Sequence, residues 1–500
     1  MTRARLFGVV LLGIAIAVTA VLSPLTVWFA IGIVPVVLCS IRGLDAGERQ
    51  AVATIIAAAI VLRLIVVAGL FLLTDHTVVP FGSFSGDEDY FIKRSLWLGN
   101  IALGIPVHPL DLEYAFEPYG HSGHLYALAL VQALTGPAPY GLRLLGVLLY
   151  VLAVLMLYRL VRTTLGRMPA LFGLTALLFL PSLVVWSASV LKEPPFVLIS
   201  TLSLILACKA VQPASTVRSR ALAVAGIAAL AAVQQGIRPH GAVFTASGVV
   251  AGLAIGFVAV RPKVILATAV AAPILLGAVF SNPEVQLKAY VAIQNAARQH
   301  WGAVVVSRGL GYQLLDARFY PELNEISGLE FAEAARFLGR AVAAYVTVPR
   351  PADVQSSSTL AYLPEQIVWY VLAALVPIGV VFGFRRHAAL TGLLLAHALL
   401  IAAAAAFTDG NVGTLVRHRG LALPYLVWLS GVGACELLVR FASTQPGPPS
   451  GSLTRPWPGA CVSNLHHGGH GGHGGRTQSY SGLNLRVLCV LRGSGLGIPA

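Results

Sequence analysis

The sequence predicts an all-α, polytopic membrane protein with about twelve transmembrane helices. Three observations predict it. Of 500 residues, 57% are hydrophobic and only 11% charged, with a mean hydropathy of +0.80; a soluble chain carries roughly 25% charged residues. Apolar stretches of about 18 residues or more, each able to cross a ~30 Å hydrocarbon core, recur from end to end. Arginine and lysine gather in every second connection between those stretches, as the positive-inside bias requires.

In order, the spans fall at 6–22, 25–41, 51–73, 140–158, 168–186, 194–208, 221–235, 241–260, 264–281, 362–384, 388–407 and 421–439. The basic start "MTRAR" precedes an apolar run with no small-residue cleavage site, which reads as an uncleaved first span. The cytoplasmic connections carry Arg3 and Arg5; Arg42 and Arg49; Arg159, Arg162 and Arg167; Lys209, Arg218 and Arg220; Arg261 and Lys263; and Arg385 and Arg386. One orientation satisfies all of them, provided that His121–Gly136 does not cross. That segment is too short for a span and reads as an interfacial or re-entrant helix.

The divisions that follow are an N-terminal hairpin (1–50), a membrane core (51–281) with a first outer loop (74–139), an extracytoplasmic segment with interfacial helices (282–361), C-terminal spans (362–441) and a low-complexity cytoplasmic tail (442–500). Within 282–361, Ser327 and Glu330 match a capping box that opens a surface helix running to about Thr347. The tail holds His466, His467, His470 and His473 between glycines, a pattern that fixes no metal geometry. The five cysteines share no metal-type spacing. The net charge of +14 is scattered through short connections, which fits topology determinants better than a nucleic-acid face, and no nucleic-acid partner is expected.

The polar residues that topology does not explain collect on the extracytoplasmic side. "SGDEDY" places Asp87, Glu88 and Asp89 about a dozen residues past a membrane exit, where one carboxylate can accept a proton while another orients a substrate or binds a cation. Lys192 and Glu193 interrupt an apolar stretch in "SASVLKEPP". Arg238 and His240 in "GIRPH", and Arg417 and Arg419 in "NVGTLVRHRG", stand against the positive-inside bias. Lys192, Arg238, Arg417 and Arg419 are candidates for holding a lipid phosphate, since guanidinium forks match phosphate oxygens. Glu193, His240, Arg298 and His300 are further candidates, with Trp301 beside them. Each has a plainer reading as solvation, snorkelling or helix capping. Carboxylates and cations converging on the outer membrane surface suit group transfer from a lipid phosphate, and no glycine-rich nucleotide loop is present in the sequence.

At these residues the chain resembles the GT-C fold membrane glycosyltransferases, in particular the family 39-like group of protein O-mannosyltransferases and aminoarabinose lipid A transferases. The likeness rests on "GDEDY", "PAPYGLRLLGVLLYVLAVLMLYRLV", "LPSLVVWSASVLKEPPFVL", "LPEQIVWYVLAAL" and "NVGTLVRHRGLALP", over about residues 51–440. The resemblance implies an inverting enzyme of the plasma (inner) membrane. It would move a sugar from a polyprenyl-phosphate donor to a lipid, glycan or protein acceptor on the extracytoplasmic face. Asp87 would then be the general base and Glu88 the second acid of the pair. No cofactor is implied with certainty, and a divalent cation stays open. An O-antigen polymerase or ligase, and a transporter, are the rival readings. A transporter should place ionisable groups near the bilayer midplane, where Arg63 alone stands out.

Overall fold

A computed structural model describes residues 10, 23–83, 86–116, 123–136, 138, 140–307, 309–322, 326, 328–351, 360 and 362–444. The chain divides into Met1–Val439 and Arg440–Ala500, and in the second part only the end of one helix, to Thr444, is described. The predicted span 6–22, apart from residue 10, and the His-rich tail lie outside the described residues.

The helices are α1 (Pro24–Ile41), α2 (Ala46–Leu73), α3 (Gly86–Ala102), α4 (Pro109–Ala115), α5 (Gly123–Thr135), α6 (Leu142–Thr164), α7 (Arg167–Phe179) and α8 (Pro181–Ser187). They continue with α9 (Glu193–Val211), α10 (Val217–Ile237), α11 (Gly241–Ala259), α12 (Pro262–Phe280), α13 (Pro283–Val305), α14 (Phe331–Thr347), α15 (Leu363–Thr408) and α16 (Val412–Thr444). Nine of these are long and apolar enough to cross a membrane, or ten if α7 and α8 form one bent span. The 46-residue α15 breaks at His387 (φ −156°, ψ 90°), where Arg385 and Arg386 mark a connection, so it supplies both spans placed at 362–384 and 388–407. Of the other predicted spans, all but 6–22 coincide with described helices, 168–186 with the bent pair α7 and α8.

Local chemistry sets the helix ends. Proline occupies the first turn of α1, α8, α9, α12, α13 and α15, where its missing N–H costs nothing. Asp45 caps α2 by accepting from the Glu48 N–H at 2.7 Å. The capping box of α14 is formed by Glu330 and Glu333, three residues later than the Ser327–Glu330 match; Ser327 lies outside the described residues. α5, with 13 residues, spans only about 20 Å and falls short of the hydrocarbon core.

Pro181 bends α7 against α8 by 63° and frees a carbonyl inside the helix bundle. Arg63 of α2, with no exposed surface, supplies the donors that the break needs. Its Nη1 donates to Leu178 O at 2.9 Å and its Nε to Ser187 Oγ at 2.8 Å. The lone mid-span charge therefore has a packing role. α11 and the second half of α15 approach almost backbone to backbone. A Cβ on Gly252 would stand 2.5 Å from Leu393 Cα, and one on Gly256 2.7 Å from Ala388 O, so glycine at four-residue spacing is obligatory there.

The two ends of the bundle differ in chemistry. At one end Arg162 grips Glu48 through Nε and Nη2, both at 2.7 Å, and Arg167 pairs with Asp45 at 2.9 Å. There too Arg159 donates to Arg42 O at 2.8 Å, Arg386 donates to Leu165 O at 2.7 Å, and Arg386 pairs with Glu436. These belong to the connections that the sequence reading places in the cytoplasm. The opposite end carries α3, α4, α5, α13 and α14 and the candidate residues.

Candidate active site

Asp87, Glu88 and Asp89 occupy the first turn of α3 rather than a solvated loop, and the positive end of the helix dipole favours carboxylates there. Successive helical residues turn by about 100°, so the three acids face three ways. Asp87, with 56% of its side chain exposed, accepts from Arg417 Nη1 at 2.6 Å. Glu88 has no exposed surface; it pairs with the equally buried Arg143 at 3.0 Å and accepts from Val190 N–H at 3.0 Å. Arg143 also donates to the carbonyls of Phe81 and Gly82 at 2.9 and 3.1 Å. Glu88 is therefore a structural post that ties α3 to α6 and to the 188–192 connection. Asp89 pairs with Lys93 one turn on, at 2.6 Å. The D-x-D pattern does not make a chelating pair. Among the described residues no group of three or more His, Cys, Asp or Glu side chains is placed to hold a metal ion.

Arg417, on the second turn of α16, is the hub. Besides Asp87 it meets Glu193 Oε1 through Nε at 3.2 Å, and Arg238 Nη2 donates to that same oxygen at 2.6 Å. Arg238 lies over the Phe196 ring at 5.4 Å and Arg417 over Trp186 at 6.0 Å. Lys192 immediately precedes Glu193. Burial lowers its pKa, and the neighbouring Arg238 and Arg417 add to that against Glu193 and Asp87. Burial likewise lowers the pKa of Arg238, with Glu193 opposing. Below the Glu193–Arg417 pair a narrow cleft of ≈ 10 Å³ runs between Tyr150, Leu183, Trp186 and Val197, so charged heads stand over an apolar wall.

Other candidates fall elsewhere. Arg419, two residues after Arg417, points to the other side of α16. It is 3% exposed, donates to Gln366 Oε1 at 2.7 Å and to Val348 O, and lies over Tyr345 and Trp369 at 5.4 and 5.2 Å. Those bonds lock α14 against α15. His300 is wholly buried; its Nδ1 meets Asp409 O at 2.7 Å and its Nε2 the Tyr320 hydroxyl at 3.2 Å. Together with backbone bonds from Tyr312 N to Gly410 O and from Val412 N to Leu310 O, both 3.0 Å, it fastens the 309–320 loop to the start of α16. Burial pushes the His300 imidazole down to about 4, against the pull of Asp409. Trp301 donates to Tyr320 O at 3.2 Å, which belongs to the same packing. Arg298 is exposed on α13. His240 is exposed too, with a left-handed backbone (φ 60°) before α11.

Three participants carried no usable sequence signal. Arg143 lies inside an apolar run, and its partner is 55 positions away in the chain. Asp409 accepts from the His418 Nδ1 at 2.8 Å across the turn that opens α16. His124 stands in the first turn of α5, and its electrostatic neighbours are Glu193, Lys192 and Arg238. A histidine in an apolar helix was the available hint, and it does not say what the ring faces.

Residues 122–281 match the family model described as dolichyl-phosphate-mannose-protein mannosyltransferase, a stretch that contains His124, Lys192, Glu193 and Arg238 but neither Asp87 nor Arg417. No curated protein sequence matches the chain. Among solved structures, one titled as ArnT from Cupriavidus metallidurans bound to undecaprenyl phosphate is similar over 80% of each chain. Its identity is 14% and its TM-score 0.34, too loose to carry any residue across. What this chain is similar to in sequence, over about a third of its length, is thus a group of enzymes described by a lipid-phosphate-linked mannose.

Proposed function

We propose that the chain is a membrane glycosyltransferase that takes a sugar from a polyprenyl-phosphate donor and passes it to a lipid, glycan or protein acceptor at the extracytoplasmic face. The observation that carries this reading is Arg417, held between Asp87 and Glu193 with Arg238 on the same carboxylate and Lys192 beside it. Four chain segments thus bring three cations and two carboxylates to one end of a membrane bundle. The match over 122–281 supports the donor class, since dolichyl phosphate is a polyprenyl phosphate.

In this reading the prenyl tail lies in the bilayer and the phosphate meets Lys192, Arg238 and Arg417. Those cations stabilise charge that grows on the phosphate oxygen as its bond to the sugar breaks. The acceptor hydroxyl attacks the anomeric carbon from the opposite side, which inverts that centre. Its proton goes to Asp87, and the electron pair of the broken C–O bond stays on the phosphate. Asp87 suits the base because its carboxylate is exposed to arriving acceptor while Glu88 is sealed in. Arg417 touches both the base and the phosphate site, so it orients one while binding the other.

The test incubates purified protein in lipid nanodiscs with radiolabelled polyprenyl-phosphate sugars and a membrane lipid, glycan and protein extract. Label moving to an acceptor is expected. No movement from any donor, with the protein folded, overturns the reading.

A further inference from the structure

His124 takes part in none of the bonds described so far. It is 8% exposed, and among the described residues its Nε2 has no hydrogen-bond partner, a costly state for a buried polar atom. Its ring meets Phe91 edge-on at 5.1 Å, which sets it against α3, the helix whose first turn holds Asp87. On its other side α5 abuts the last turn of α10: a Cβ on Gly123 would stand 2.6 Å from Gly236 O, two residues before Arg238. The charged groups that act on the imidazole are Glu193, Lys192 and Arg238. His124 thus stands between the helix of the candidate base and the cations of the candidate phosphate site.

The ring is neutral in this setting. Burial pushes it down to about 4; Glu193 opposes that, and Lys192 and Arg238 add to it. A neutral imidazole adds no charge to a phosphate already facing three cations. It does offer a directional hydrogen bond, which suits a hydroxyl. The hydroxyls nearest a sugar-linked phosphate are those of the sugar itself.

We propose that His124 reads the donor's sugar, with its Nε2 hydrogen-bonding a sugar hydroxyl beside the phosphate held by Lys192, Arg238 and Arg417. The proposal rests on the glycosyltransferase reading and makes His124 a specificity-determining residue. A site built around a hydrogen bond to a hydroxyl rejects analogues that lack it, because its own buried polar atom is then left unpaired.

The test compares wild type, His124→Phe and His124→Gln in nanodiscs with two probes: bare polyprenyl phosphate, and the same lipid phosphate carrying the sugar that the transfer assay accepts. His124→Phe keeps an aromatic ring against Phe91, and His124→Gln keeps a hydrogen-bonding group; thermal melts check that both fold. Bare polyprenyl phosphate should bind all three within about twofold. The sugar donor's kcat/KM should fall on the order of 10- to 100-fold in His124→Phe and recover in part in His124→Gln. Preference for that sugar over its deoxy forms should shrink in His124→Phe. Wild-type use of the sugar donor by His124→Phe overturns the proposal, and so does an equal loss of bare phosphate binding. If wild type binds neither probe, the glycosyltransferase reading itself falls and takes the proposal with it.

Discussion

Asp87 and Glu88 are neighbours in sequence, and the structure assigns them opposite fates on substitution. Asp87 is more than half exposed and bonded to Arg417; Glu88 and its partner Arg143 have no exposed surface. Asp87→Asn keeps an oxygen for Arg417 and removes the ability to take a proton together with the charge of that pair, a partly exposed contact worth about 1 kcal/mol or less. General-base assistance is worth about 10²–10⁴ in rate, or roughly 2.7–5.4 kcal/mol of barrier at 1.36 kcal/mol per tenfold. Transfer should fall by that factor with melting and donor binding unchanged. Glu88→Ala leaves the Arg143 guanidinium buried without its carboxylate and frees the Val190 N–H. Breaking such a buried pair costs about 3–5 kcal/mol, enough to lower yield and melting temperature sharply. Arg143 also holds the Phe81 and Gly82 carbonyls, so the approach to α3 loosens with it. The assay pairs thermal unfolding in detergent with single-turnover transfer. A stable but inactive Glu88→Ala, or a fully active Asp87→Asn at normal protein levels, refutes the assignment.

The same contrast applies to the two arginines of α16. Arg417→Ala should weaken donor use about tenfold or more and Arg417→Lys less, because lysine keeps the charge and loses the fork; Arg419→Ala should instead lower the melting temperature, since its bonds run to Gln366 and Val348 O. Equal donor affinity in Arg417→Ala and wild type would remove it from the phosphate site. His300 titrates near 4 in the fold and near 6.5 in an unfolded chain, so the folded state binds fewer protons. Stability from the neutral ring is then full above about pH 6.5 and declines as pH falls toward 4; melts from pH 4 to 8 should show less of that decline in His300→Gln. With native cysteines removed, a cysteine at exposed Val78 should react with an impermeant thiol reagent from outside, and one at exposed Ala214 should not. Labelling of both from one side would overturn the orientation.

Composition and the alternation of arginines determined the membrane architecture, because hydrocarbon imposes one rule along the whole chain: apolar runs of fixed length, with positive charge kept to alternate connections. The short, non-spanning α5 was legible for the same reason. Local sequence also marked one end of the bundle as the candidate site, through cations that stand against the expected positive-inside pattern. Which of those cations act together was a tertiary decision. Arg417 and Arg419 look alike in "VRHRG", yet the helix turns them to opposite sides, one onto Asp87 and Glu193 and the other into packing around Tyr345 and Trp369. "DED" reads as one acidic run, and only the pitch of α3 and the buried Arg143 of α6 separate the proposed base from a post and a surface pair. His300 and Arg63 read as candidate and anomaly, and each answers a backbone demand far away in the chain: a carbonyl at Asp409, and the break at Pro181. His124 gave only the hint of a histidine in an apolar helix. A side chain's meaning inside a bundle is set by what faces it, and the facing residues come from other helices, whose angular positions depend on packing that no local pattern records.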